Sequence, residues 1–161
     1  MKKRILTWLL AISMLGSLLT VPAGAAAVTK FSDVSDSYTA TAVESLRLMG
    51  VLDGYGDGTF RPDTVLNRAQ FCKMAVYAMD GSGELGRYST VTIFPDVKPS
   101  HWASAYINMA ARKGIISGFA DGKFKPGQTV TAGQAVTILM RGLGYKDEDM
   151  GGVWPQSYMA E

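Results

Sequence analysis

Apolar residues recur at intervals of three and four in four segments of this 161-residue chain. In one of them Trp102, Tyr106, Met109 and Ala110 share a helical stripe that closes at the polar Lys113. Gly114 follows, a residue suited to the left-handed position after a helix. Ser100 stands where an N-cap belongs, so the spacing predicts a helix over 101–113. The matching segment upstream predicts a helix over 38–49, stopped by Gly50. A second stripe, Phe71, Met74, Ala75 and Ala78, is matched by Ala135, Ile138, Leu139 and Gly142. Asn67 and Thr131 are good N-caps, and Gln70 and Gln134 three residues later complete capping boxes. Helices over 67–79 and 131–143 follow. Between the helices of each pair, Val51-Leu52 and Ile115-Ile116 are short apolar runs, and Asp57-Gly58 and Asp121-Gly122 are turns. Phe60 and Phe124 are expected to plug the core after those turns, and Pro62 and Pro126 to stiffen the approach to the second helix.

The pattern is therefore an internal repeat. Phe31-Ser32-Asp33-Val34 matches Phe94-Pro95-Asp96-Val97, and from Tyr38 and Trp102 onward the two copies align without a gap. Gly50-Val51-Leu52-Asp53-Gly54-Tyr55 matches Gly114-Ile115-Ile116-Ser117-Gly118-Phe119. A third copy begins: Trp154 and Tyr158 repeat the spacing of Trp102 and Tyr106, and Glu161 falls inside what should be its helix, so the third copy is expected to be cut short, with a vestigial copy as the alternative. Each helix–loop–helix unit is too small to bury its own apolar face, so the copies must pack on one another. The expected organisation is a leader over 1–27, repeat one over 28–79, a linker over 80–93, repeat two over 94–143, and a connector with the start of a third repeat over 144–161. The fold class is all-α.

The leader changes the reading of charge. Lys2, Lys3 and Arg4 precede an apolar run from Ile5 to Val21, and Pro22 to Ala27 supply the small residues of a cleavage site. That order reads as a secretory signal peptide, with an uncleaved membrane anchor as the alternative. Membrane contact is then expected only through the leader during export. The formal charge of +2 belongs to this segment. Without it, basic residues fall from 16 to 13 against 14 acids, so nothing points to nucleic acid. With 19% charged and 47% hydrophobic residues, a disordered polyelectrolyte is excluded. Cys72 is the only cysteine, which excludes an intrachain disulfide, and it reads as a small buried hydrophobe.

The ordered motifs resemble S-layer homology repeats: the Phe-x-Asp-Val opening, the Trp102-Ala103 pair, the Gly54-Tyr55-Gly56-Asp57-Gly58-Thr59-Phe60-Arg61-Pro62 loop, and Leu66-Asn67-Arg68-Ala69-Gln70. The resemblance covers nearly all of the chain after the leader. It implies tandem repeats forming part of a three-repeat pseudo-trimeric helix bundle. It also implies non-covalent anchoring of an exported protein to the cell wall, through a secondary wall polysaccharide that carries a pyruvate ketal. The N-terminal part of a self-assembling surface-layer subunit is the alternative, and behind it a cell-wall-glycan enzyme whose catalytic region is not in this sequence. The family's helix-two motif is Thr-Arg-Ala-Glu; Asn67-Arg68-Ala69-Gln70 keeps the arginine and Thr131-Ala132-Gly133-Gln134 lacks it.

A ketal carboxylate suits the fork of Arg68 and the amides of a helix start. Glycines of the Gly54–Gly58 loop allow close approach to a sugar. The polysaccharide contacts expected are therefore Arg68, Gln70, Gly58 and Trp102. For Trp102 two readings stand, a core residue and a platform for a sugar face. His101 is expected at an exposed helix start beside it. Asp53 and Asp57 have the spacing of two calcium-loop ligands, but Thr64 stands at position twelve and Ser117 replaces Asp53 in the second copy. Turn chemistry explains Asp57 and Asp121 better, and no metal or cofactor is expected. With His101 the only histidine and the acids bound up in turns, no catalytic residue is expected and the chain is read as a binding module, not an enzyme.

Overall fold

The computed structural model describes residues 30–79 and 82–148; the leader and the third-copy start at Trp154 and Tyr158 lie outside the described residues. Four α-helices run in order: α1 (Ser37–Leu48), α2 (Arg68–Ala78), α3 (Ser104–Arg112) and α4 (Ala132–Gly142). A 3-10 helix, Ser82–Tyr88, joins α2 to the second copy. No strand occurs among the described residues beyond one isolated bridge between Asn67 and Thr129. Both capping boxes form: Asn67 and Thr131 accept the amides of Gln70 and Gln134, whose side chains reach back to the cap amides. Gly50 and Gly114 follow α1 and α3 at φ +73° and +72°, the left-handed position that glycine takes without strain.

Helix α3 begins later than the spacing predicts. Ser100 does not cap it; Ala103 is its N-cap and makes no side-chain cap bond. A turn wins the preceding residues, with the His101 amide bonded to the Lys98 carbonyl and the Ala103 amide donating to His101 Nδ1 at 3.1 Å. Trp102 therefore sits in that turn and not on the buried stripe.

The main core joins the two copies. Ala69, Cys72, Ala75 and Val76 of α2 pack with Ile107, Met109 and Ala110 of α3, Ile138 of α4, and Phe94, Val97 and Phe124. Because α2 lies against both α3 and α4, its small residues face the core, while Met74 turns to a smaller cluster of Phe31, Val34, Ala40, Val43 and Leu52. Phe124 is fully buried; Phe60 is only half-buried. The expected linker over 80–93 is in large part a packed strap. Leu85, Tyr88 and Ile93 press on the core, and Asn108 of α3 donates from Nδ2 to the carbonyls of Tyr88 and Val91.

Each loop hangs on one aspartate. Asp33 accepts the amides of Phe60 and Arg61 at 2.8 and 2.6 Å, and Asp96 those of Phe124 and Lys125 at 2.9 and 2.7 Å. These bonds hold Arg61 and Lys125 at φ +59° and +58°, a region that costs a non-glycine residue about 1 kcal/mol or more. The Phe60 amide, with that of Arg61, holds the Asp33 carboxyl below its ordinary value. Burial pushes Asp96 up, but its amide donors win and the net shift is down. The Thr59 hydroxyl and Arg61 bring Asp57 to about 2. All three are depressed, so the unfolded chain binds more protons as pH falls. Stability is then expected to hold down to about pH 5 and to drop as pH falls towards 2. Thermal midpoints by circular dichroism test this; a midpoint that stays level through that range would contradict the loop assignment.

Candidate functional site

Arg68 opens α2 yet points into the second copy. It is 5% exposed. Nε donates to the Phe124 carbonyl at 2.9 Å, and the terminal nitrogens donate to Gln134 Oε1 at 3.1 Å and the Ser117 carbonyl at 3.4 Å. Its guanidinium carbon lies 4.6 Å from the ring centroids of both Phe119 and Phe124. Burial pulls its pKa down from the ordinary value. The helix amides are engaged as well: Arg68 N donates to Gln128 O, Ala69 N to Pro126 O, and Gln70 N to Asn67 Oδ1. The anion contact expected at this helix start is thus corrected. Three of its five N–H donors go to oxygens of the second copy, and the buried Arg68 is a clamp between repeats. Cys72 behind it is fully buried, and burial pushes its thiol up to about 12.

Gly58 also departs from expectation. It lies in an exposed turn at φ +80°, its amide on Tyr55 O and its carbonyl on Ser32 N, and it does not line the groove described next. The loop glycine that does is Gly54, where an added Cβ would strike the Phe31 ring. Asp57 shows the turn chemistry expected of it, accepting from Thr59 N and Oγ1 and pairing with Arg61 at 2.7 Å.

A groove of about 330 Å³ opens between the copies. Repeat one supplies Asp53, Tyr55, Phe60, Gln70 and Lys73, and repeat two supplies Trp102. Trp102 is 56% exposed and stacks on His101 at 5.7 Å, which removes it from the core. Gln70 shows the groove its side chain while Oε1 caps the Asn67 amide. Two of the four expected contacts, Gln70 and Trp102, are therefore brought together. Sequence reasoning missed Lys73, whose ammonium sits 3.3 Å from Asp53, and Arg61, stacked 4.1 Å over the Tyr55 ring. Lys73 follows Gln70 by three residues and so shares its helix face, a signal that was present. An exposed indole, cations and an amide around one groove can hold a sugar face and an anionic substituent.

A family model for the S-layer homology domain matches residues 30–72 and 93–136. The chain is 33% identical over 155 residues to a surface layer protein of Brevibacillus choshinensis, covering 92% of this chain and 14% of that protein. It is 37% identical over 141 residues to a cell surface protein of Thermoanaerobacter kivui, with 86% and 18% covered. A cellulosome-anchoring protein of Acetivibrio thermocellus is 31% identical over 115 residues, with 70% and 26% covered. The chain spans about a quarter or less of the length of these relatives. The two matched segments begin one residue before Phe31 and Phe94, which open the two copies, and each runs into the second helix of its copy. The chain belongs to the S-layer homology domain family, with two repeats clamped together at Arg68.

Proposed function

We propose that this chain anchors an exported protein non-covalently to the bacterial cell wall by binding a secondary wall polysaccharide that bears a pyruvate ketal. Its place is the cell surface. The observation that carries the proposal is the inter-repeat groove with exposed Trp102 beside Lys73 and Gln70. The indole takes a sugar face, and Lys73 turns from Asp53 to the ketal carboxylate. Arg68 contributes by holding the second copy, and with it Trp102, against α2. The chain binds and does not catalyse. A self-assembling surface-layer subunit is the second reading, favoured by the likeness to the surface layer protein; wall anchoring is common to both.

Co-sedimentation of the chain with purified cell walls, intact or stripped of secondary polymer, tests the proposal. Trp102→Ala and Lys73→Gln are each expected to weaken binding to intact walls about tenfold or more, about 1.4 kcal/mol. The Lys73 effect should shrink at high salt. Equal binding to stripped and intact walls would sink the polysaccharide reading. Polymer-dependent binding that neither substitution touches would move the site elsewhere.

A further inference from the structure

The internal repeat lets every contact of Arg68 be carried back onto repeat one. The clamp rests on Ser117, Phe119, Phe124, Pro126, Gln128 and Gln134. Their counterparts are Asp53, Tyr55, Phe60, Pro62, Thr64 and Gln70, and all six line the groove. Among the described residues no donor reaches the carbonyls of Asp53, Phe60, Pro62 or Thr64. Filling explains the difference between the two plugs. Phe124, under the guanidinium, is fully buried, whereas Phe60 is half-buried and Tyr55 is 37% exposed. Tyr55 carries Arg61 just as Phe119 carries Lys125, so both rings hold a cation from their own loop and only Phe119 holds a guanidinium from the other repeat as well.

We infer that the floor of this groove is a socket for a helix-start arginine of a further S-layer homology repeat, which clamps onto repeat one as Arg68 clamps onto repeat two. Two flat rings and a fan of carbonyl oxygens select a planar five-donor cation over an ammonium. Repeat two cannot pass the clamp onward, because Ala132 stands where Arg68 stands in repeat one. Closure of a multi-repeat assembly by such a clamp therefore falls on this socket. Trp102, Lys73 and the exposed Asp53 carboxylate stay at the lip, so the inference does not depend on the wall-polymer reading.

The test uses the full chain extended beyond Glu161 by a copy of its own residues 31–79, without any wall polymer. Three versions carry arginine, lysine or alanine at the copy of Arg68. The arginine version is expected to melt about 5 °C or more above the alanine version, with lysine much nearer alanine. Amide exchange over Tyr55–Thr64 should slow about tenfold with arginine alone. Tyr55→Ser in the first repeat should remove both differences. Equal melting of the arginine and alanine versions, or a difference that survives Tyr55→Ser, overturns the socket. Concentration-dependent melting of the unextended chain that Tyr55→Ser abolishes would give the socket to a second copy and overturn it too.

Discussion

Replacing Arg68 by alanine is expected to destabilise the two-repeat unit by about 3–5 kcal/mol, lowering its thermal midpoint by roughly 10–20 °C. The guanidinium makes three hydrogen bonds and lies against two rings at 4.6 Å. A hydrogen bond from a charged group contributes about 1.5–3 kcal/mol, and a desolvated cation–π contact about 2. The full sum is not lost, because the cation also regains its hydration. What remains is the cavity and the carbonyls of Phe124 and Ser117 facing it without a donor. Arg68→Lys should recover less than half, since an ammonium cannot reach three acceptors set in a fork. Chemical denaturation followed by circular dichroism measures this. An Arg68→Ala chain as stable as the original would return the guanidinium to solvent and revive its reading as a wall-polymer contact.

Arg68 also shows where sequence reasoning stops. The capping boxes at Asn67–Gln70 and Thr131–Gln134 were legible because a cap and its partner lie three residues apart. The glycine stops after α1 and α3, the loop turns and the family motif were legible for the same local reason. The partners of Arg68 lie 49 to 66 residues away, and only the packing of the copies brings them within reach. Read locally, an arginine at a helix start opposes the helix dipole and looks free for an anion. In the structure the surrounding carbonyls, not the dipole, decide its energy. Trp102 was ambiguous because its stripe continued the helical period, while the turn set by His101 and Ala103 delays the start of the helix until two residues after it. The strap escaped notice because glycines dominate its start and a loose linker has the same composition. Repeat alignment hid its anchor too: Asn108 aligns with Glu44, which pairs with Arg47 three residues on at the half-exposed face of α1.

That anchor carries the other large effect. Asn108 is fully buried, and the two hydrogens of its Nδ2 are shared among Val91 O at 2.6 Å, Ser104 Oγ at 3.1 Å and Tyr88 O at 3.2 Å. Oδ1 has no hydrogen-bond partner. The amide cannot be turned over, because its oxygen would then meet two carbonyl oxygens. Asn108→Asp imposes that clash, and at pH 7 adds a buried negative charge. The expected loss is about 3–5 kcal/mol, with the strap over 82–91 released from α3. Burial and the facing carbonyls raise the pKa of the new carboxyl in the folded state, while in the unfolded chain it titrates near 3.9. Between those values the folded form binds the extra proton, so the variant gains stability as pH falls from 7 towards about 4. That is opposite in sign to the acid loss expected of the original chain. Asn108→Leu supplies the comparison: it leaves the Tyr88 and Val91 carbonyls without a donor but adds no charge, so its cost should be about 1–3 kcal/mol and level with pH. Denaturation of both variants at pH 7 and pH 4.5 separates the terms. If Asn108→Asp is as stable at pH 7 as the original, the strap does not hang on Asn108; if its loss ignores pH, the buried charge is not the cause.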